Sequence, residues 1–475
     1  MSISTKILNL EKKYMLHSFE VNGFYPWPYI RHIIEFETNS KPIGILNATN
    51  KILRIIKNLP IMVLEKHRYK PEANAVDILF SISPRRSFIN GLYECIYTDD
   101  ISEFFPNSVT LEQVSFETMR HYKPTRTKNL LYSDRIFIKS CFYLLFVKYV
   151  FRTKYNVIYH QIYDFMCKPL HELFDENDVS VYVWTKKMTD RYFLYISRFR
   201  NYEYLLQKIS PKIVVETAYY HFDHLIINEI AKKIKTITVE LQHGAIVKDS
   251  VCSHYPYDEC NHLPDMIFLF SDYYKTMLNF PKSCKLIPIG FPYFDKQVAM
   301  YKKINTMSNN YTLTFLSSIS DNGFDRLAVD ASKQLKLFGW RVIFKLHPWE
   351  YDDWKIRYPS LDGTDVEVIG GSKNNLYEIF SKSTAVIGIN STSIYEAIGF
   401  GLPAFIIDMP GASLVSDLWE KGYAIKVSNS DELIQCLKCI NNHIVSATEL
   451  WKPNALQNII NLFNNILLKK VSINS

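Results

Sequence analysis

Ala385-Val-Ile-Gly-Ile-Asn390-Ser391-Thr392-Ser393-Ile-Tyr-Glu396-Ala-Ile-Gly399-Phe-Gly401-Leu-Pro403-Ala-Phe-Ile-Ile407 reads as a buried strand, a helix and a second buried strand. The apolar run 385–389 is too short for a helix and is bounded by turn residues. Ser391–Phe400 has helical spacing and opens on Asn390, Ser391, Thr392 and Ser393, all good helix-capping residues. Gly399, Gly401 and Pro403 then shape the exit from the helix, and 402–407 is again apolar. A strand feeding a helix and returning to a strand predicts a parallel sheet. The start of such a helix carries about half a positive charge and free amides, so hydroxyls crowded there make an anion site. The plainer alternative is a well-capped helix with Glu396 in solvent.

The same grammar extends upstream. Tyr311–Leu316 is an apolar strand followed by the loop Ser317-Ser318-Ile-Ser-Asp-Asn-Gly323, and Asp325–Phe338 is a helix closed by Gly339. Arg341–Leu346 is a strand running into Lys345-Leu-His347-Pro348-Trp-Glu350, where proline stops the strand and fixes the turn. Val366–Ile369 is a short strand, Leu376–Ser381 a helix, and Asp431–Asn441 another. Before residue 300 the order is looser: Ile213–Val215 strand, His224–Ile234 helix, Thr236–Leu241 strand ending in Gln242-His243-Gly244, then strands at Met266–Phe270 and Leu286–Ile289. In open α/β sheets, ligands bind beyond the carboxyl ends of the strands, and the polar residues just named sit at those ends. The expected architecture is α/β: two Rossmann-like, doubly wound domains facing a central cleft. Residues 1–300 form the acceptor-side domain, 301–450 the nucleotide-binding domain, with the boundary near 296–308. Residues 451–475 form a terminal helix packing back on the first domain.

Composition agrees. A chain of 475 residues, 47% hydrophobic and 22% charged, is globular and too long for one ordinary core. Eight cysteines at irregular spacing suit free thiols in a reducing compartment. Of 15 glycines, 12 fall from Gly244 onward, so the later half is the expected phosphate reader. The first residues lack the apolar segment of a signal peptide, and Ile136–Phe151 is shorter than the ~20 residues that span a bilayer. A cytoplasmic protein is expected. Between His121 and Lys154 eight Lys and Arg meet one acid, Asp134, and Phe137, Phe142, Tyr143, Phe146, Tyr149 and Phe151 lie in the same window. Two readings stand there: contact with an anionic membrane, placing the chain peripherally on the inner face of the plasma membrane, or a core helix with snorkelling cations. No nucleic-acid recognition motif accompanies the charge, so no nucleic-acid partner is expected.

Several chemistries are excluded or disfavoured. A GxGxxG fingerprint and a GxxxxGK[ST] loop are absent, which removes most weight from dehydrogenase and P-loop readings. No Asp-x-Asp occurs, so a metal-dependent sugar-nucleotide site is disfavoured and no metal is expected. The histidines and acid at His221, Asp223, His224, His254 and His262 match no zinc spacing. Cys436-Leu-Lys-Cys439 lies in a helical apolar pattern and reads as packing.

Taken together, Glu240–Gly244, His347-Pro348 and the Asn390–Pro403 block resemble the GT-B glycosyltransferases of bacterial surface polysaccharide synthesis. The later half is similar to the group containing bacterial sialyl- and polysialyltransferases, with its His-Pro and Ser-Ser/Thr motifs. It also resembles CDP-glycerol glycerophosphotransferases, whose first domain carries a His-Gly pair; the Trp they have before that pair is Gln242 here. Gly23-Phe-Tyr-Pro-Trp27-Pro-Tyr29-Ile-Arg31 has the look of capsule and lipopolysaccharide transferases. The sialyltransferase acidic motif ending in Gly has no match, since Asp99-Asp100 is followed by Ile101.

The resemblance implies a metal-independent, inverting transfer of sugar from a nucleotide-activated donor to a capsule or lipopolysaccharide chain. The acceptor is a polysaccharide or lipid-linked glycan, and the donor is a substrate, with no further cofactor. His347 would meet or protonate the donor phosphate, with Ser317, Ser318, Lys345, Pro348, Asn390, Ser391, Thr392 and Ser393 around it and Glu396 on the ribose. The base would be His243, with Asp99, Asp100 and Glu216 as alternatives. Polyol-phosphate transfer from a CDP-polyol is the rival chemistry, and a non-catalytic membrane-docking scaffold the rival class.

Overall fold

A computed structural model describes residues 2–39, 75–82, 86–113, 120–248, 250–255, 257, 261–301, 311–318, 323–371, 375–439 and 449–473. Most of the expected boundary segment, residues 302–310, lies outside these residues, as do Asp321-Asn322 and residues 440 and 441. Strands are numbered β1 to β15 and helices of seven residues or more α1 to α12.

The first sheet has seven strands: β1 (Ile78–Ile82), β4 (Ser108–Glu112), β5 (Leu130–Tyr132), β6 (Ile213–Glu216), β7 (Ile237–Leu241), β8 (Met266–Leu269) and β9 (Lys285–Pro288). Their order is β5-β4-β1-β6-β7-β8-β9 and every pairing is parallel. A small antiparallel hairpin, β2 (Ser87–Ile89) with β3 (Leu92–Glu94), stands apart. The second sheet contains β10 (Thr312–Leu316), β11 (Arg341–Lys345), β12 (Glu367–Ile369), β13 (Ala385–Gly388), β14 (Ala404–Ile407) and β15 (Ile425–Val427). It runs β12-β11-β10-β13-β14-β15, also wholly parallel. Counted within each sheet, both follow the doubly wound order 3-2-1-4-5-6, the first with one strand added. Each therefore reverses direction once, between β1 and β6 and between β10 and β13, and each reversal opens a crevice at the strand ends. Two such domains facing one cleft are the GT-B arrangement.

Both faces of each sheet are covered, which is why the strands are continuously apolar. Along β1, Ile78, Phe80 and Ile82 pack on one side with Ile213, Val215, Val239 and Phe268, while Leu79 packs on the other. The first side is closed by the terminal helix α12 (Ala455–Ile473) through Ile459, Phe463 and Ile466. The second side is closed by α1 (Ile3–Tyr14), α2 (Arg31–Asn39), α3 (Asp134–Tyr149), α4 (Arg152–Leu173), α5 (Asp178–Ile209) and α6 (Phe222–Lys233). The remaining helices are α7 (Pro292–Tyr301), α8 (Phe324–Lys336), α9 (Leu376–Lys382), α10 (Thr392–Phe400) and α11 (Ser430–Lys438).

The segment entering α12 links the domains. The Trp451 ring stacks on Phe270 (4.7 Å) and Phe294 (4.1 Å), and its Nε1 donates to Tyr395 O (3.0 Å). Two glycines make room for this segment. A Cβ on Gly399 would stand 2.2 Å from Trp451 Cδ1, and one on Gly290 (φ +98°) 2.2 Å from Lys452 O. Gly399 thus serves packing between domains rather than the exit from α10. Substituting Gly399→Ala is expected to cost about 2–3 kcal/mol, because the indole is wedged between rings and cannot yield. Thermal unfolding would show a midpoint lowered by several degrees, and an unchanged midpoint would refute the wedge.

Candidate functional site

The cleft between the domains encloses ≈ 2060 Å³ and is lined from both sides. This exceeds the 300–1,000 Å³ typical of a single small-ligand pocket, so there is room for more than one small ligand. At the second domain's reversal point, Ser317 and Ser318 follow β10, and Asn390 and Ser391 follow β13. Ser391 caps α10, its Oγ accepting from Ser393 N (3.3 Å), and its hydroxyl donates to Ser393 Oγ (3.1 Å). Asn390 Nδ2 reaches Gly411 O (3.4 Å). Thr392 and Ser393, half-buried, border the cleft at the first turn of α10. The buried Ser318 Oγ has no partner among the described residues, which leaves a hydroxyl for a ligand. Ser317 is committed elsewhere.

That commitment builds the His-Pro turn. Fully buried Glu350 accepts from Ser317 Oγ (2.5 Å), His347 N (2.8 Å) and Tyr358 Oη (2.8 Å), and Ser317 Oγ also accepts from His347 N (2.7 Å). Hydrogen bonds to a buried carboxylate are the strong ones, so the backbone of His347 is held firmly while its ring borders the cleft. Pro348 begins the following 3₁₀ turn at the cleft edge. Lys345, buried at the end of β11, donates from Nζ to Leu346 O (2.6 Å) and Tyr351 Oη (3.3 Å). One turn into α10, Glu396 accepts from Tyr377 Oη (2.5 Å), and burial pushes its carboxyl up to about 7. A carboxyl near neutrality can both accept from and donate to sugar hydroxyls.

Burial holds the Lys345 ammonium down to about 8, with Glu350 partly opposing the shift. A nucleotide diphosphate met by this cation should bind well below pH 8 and lose affinity as pH rises through it. We expect nucleotide Kd to rise about tenfold between pH 7 and 9, the worth of roughly one charge contact, and Lys345→Met to bind weakly without that slope. A Kd independent of pH would remove Lys345 from the phosphate site. The apo fold behaves oppositely: between about 8 and 10.5 the unfolded chain holds the extra proton, so stability rises with pH across that window.

The first domain supplies the other wall. Gln242 Oε1 accepts from Phe270 N (2.7 Å) and its Nε2 donates to Gly244 O (2.9 Å), stapling the end of β7 to that of β8. Tyr97 Oη donates to His243 O (2.7 Å). The His243 ring is thereby presented to the cleft, its Nε2 3.0 Å from Tyr220 Oη and its Nδ1 3.6 Å from Glu240 Oε1. With Tyr220 as donor, Nδ1 carries the proton toward Glu240 and Nε2 is the basic nitrogen. A Cβ built on Gly244 would lie 3.8 Å from Thr392 Oγ1, so the His-Gly turn approaches the amino end of α10 across the domain gap.

Three acids expected as alternative bases are corrected. Glu216 is 0% exposed inside the first sheet, bound by Asn228 Nδ2 (2.8 Å), and burial raises its carboxyl well above the usual range. Asp99 is buried and accepts from Cys95 N (2.8 Å) and Thr127 Oγ1 (2.8 Å), with Arg86 at 3.5 Å. Asp100 pairs with Arg126 (2.7 Å) and Lys296 (3.2 Å). None of the three borders the cleft. The Gly23–Arg31 motif is likewise structural. Arg31 pairs with Glu11 (2.6 Å) and donates to Val251 O (2.6 Å) and His254 O (2.9 Å), while Trp27 Nε1 donates to Glu11 (2.8 Å). It anchors the loop that follows the His-Gly turn.

Sequence reading missed Tyr220 and His32, whose rings are 5.3 Å apart in the cleft wall, and Glu350. Tyr220 follows Ala218, whose φ of +62° departs from what an alanine prefers and turns the chain toward the cleft after β6. The only sequence signal was position, just beyond a strand end. The remaining histidines disperse: His224 Nδ1 meets Ala218 O (3.0 Å), His262 pairs with Glu229 (2.7 Å), and Asp223 with Arg198 (2.5 Å). Among the described residues no three His, Cys, Asp or Glu are grouped to hold a metal ion.

No protein-family profile matches the sequence, and no curated protein matches it. Among solved structures, UDP-GlcNAc 2-epimerase from Methanocaldococcus jannaschii is similar over 82% of this chain and 99% of its own, at 13% identity and a TM-score of 0.47. The wall teichoic acid polymerase TagF is similar over 90% and 99%, at 12% identity and 0.44. MurG from Acinetobacter baumannii is similar over 82% and 99%, at 8% and 0.44.

Proposed function

We propose that this chain transfers a sugar from a nucleotide-activated donor to a growing bacterial surface polysaccharide, capsule or lipopolysaccharide, without a metal ion. The observation that carries the reading is the approach of Gly244 to Thr392, which sets a histidine of one domain against a helix amino end of the other. The donor's phosphates rest against the amides of α10, Lys345 and the Ser318 hydroxyl. His347 donates to the departing phosphate oxygen, and Glu396 holds the ribose. The acceptor hydroxyl takes Tyr220's place at His243 Nε2. As the new bond to the anomeric carbon forms, the bond to phosphate breaks, the electron pair leaves with the nucleotide, and the acceptor proton passes to His243. One displacement of this kind inverts the anomeric centre. Fixed dipoles aimed at the leaving group's charge are the main source of rate.

A thermal-shift titration with CMP, UDP, GDP and CDP tests the donor side. One nucleotide should raise the midpoint, since binding at about 100 Kd adds ~2.7 kcal/mol. Stabilisation by none of them refutes the reading in favour of a scaffold. Incubation with the matching activated donors then identifies the moiety transferred; a polyol phosphate on the acceptor would replace the sugar-transfer chemistry.

A further inference from the structure

Helices α3, α4 and α5 form an arm whose outer corner carries an unusual surface. Arg198 and Tyr202 of α5 both bind Asp223, at 2.5 and 2.9 Å, at the start of α6, which places that turn of α5 level with the carboxyl edge of the first sheet. Lys148, near the end of α3, meets Asp190 (3.1 Å), eight residues closer to the start of α5. At 1.5 Å per helical residue that contact lies about 12 Å farther out. The α3–α4 corner at Val150-Phe151 therefore stands beyond the sheet edge on the side where the cleft opens.

Phe142 (57% exposed), Phe146 (51%), Tyr149 (75%) and Phe151 (52%) project from this corner, with Leu145 and Val150 beside them. Arg135 and Lys139 continue the stripe along α3, and Arg152 and Lys154 follow the corner; all four are exposed. No Asp or Glu occurs from Arg135 to Tyr163. The nearby acid, Asp190, is occupied by Lys148 and Tyr155. Soluble chains rarely leave such a contiguous aromatic cluster bare, and here it is bracketed by cations on both sides. Among the described residues no helix is long and apolar enough to cross a membrane.

We propose that the α3–α4 corner docks on an anionic membrane surface. The aromatic rings enter the headgroup zone, where amphipathic rings are favoured, and Arg135, Lys139, Arg152 and Lys154 meet lipid phosphates.

Vesicle flotation of the full chain tests this, using phosphatidylcholine vesicles with and without phosphatidylglycerol and no nucleotide, so the outcome is independent of the transferase reading. Partition should be about tenfold or more stronger with the anionic lipid and should weaken with added salt. Phe142→Ser/Phe146→Ser/Tyr149→Ser/Phe151→Ser should abolish flotation, and Arg152→Gln/Lys154→Gln should remove much of the anionic preference. Leu337→Ser/Phe338→Ser, exposed on the second domain, should float as wild type does. Unchanged circular dichroism confirms that the aromatic variant is folded; if it is not, the cation variant decides. Equal recovery on neutral vesicles overturns the proposal, as does wild-type partition of a folded aromatic variant or of the cation variant. A dimer that the aromatic substitutions dissociate, without flotation, assigns the face to a second copy instead.

Discussion

Replacing His347 with alanine is expected to lower kcat by about 10²-fold or more, the loss of ~3 kcal/mol of transition-state stabilisation. The size follows from where the residue is held. Its backbone N–H is fixed by Ser317 and Glu350, and Glu350 is anchored in turn by Tyr358. Alanine removes the imidazole without disturbing that network, so the fold and the turn persist. On the proposed reading the donor's phosphates would keep α10, Lys345 and Ser318. Nucleotide affinity, read by thermal shift, should therefore change only a few-fold while turnover collapses. Such a split is the mark of a contact made mainly to charge that develops as the bond breaks. Near wild-type turnover would remove His347 from the leaving-group site.

A larger loss, about 10³-fold in kcat, is expected for His243→Ala, within the 10²–10⁴ range of a positioned general base. The three acids weighed as alternatives are not placed to replace it. Glu216 is sealed inside the sheet, while Asp99 and Asp100 are consumed by Arg86 and Arg126. The neighbouring Tyr220→Phe should be milder, roughly tenfold, because it removes one hydrogen bond to the ring but leaves the basic nitrogen. Nucleotide stabilisation should survive in both variants, since the proposed reading seats the nucleotide on the other domain. The measurement is steady-state transfer with the donor found by the nucleotide screen. If His243→Ala turns over like wild type, the acceptor proton leaves by another route.

The second domain was readable because its strands are buried on both faces and its helices begin at strong caps. Every strand and helix expected from 311 to 407 is present there, with ends shifted by one or two residues, and the helix expected from Asp431 runs from Ser430 to Lys438, its expected end at Asn441 lying outside the described residues. In the first 210 residues the same grammar was hidden. Strands β1, β4 and β5 are three to five residues long and lie among a hairpin and loops. The arm confused two signals, since α3 buries Ile138 and Val147 yet exposes Phe142 and Phe146, so apolarity did not distinguish its core face from its outer face. In the cleft, strand-end position pointed to His243, His347 and Ser318, which border it. The same rule also selected Glu216, because a carboxylate at a strand end looks alike whether it points into the sheet or into the cleft.

From the linear chain alone came the alternation of strand and helix, the capped start of α10 and the His-Pro stop, because these depend on backbone preference and local hydrogen bonding within a few residues. Contacts between distant segments decided the rest: Gly244 against Thr392, Ser317 beneath His347, Trp451 wedged at Gly399. Such pairings are set by how two closed sheets pack, and residue spacing along the chain carries no record of which acids that packing will bury and which histidines it will leave facing open space.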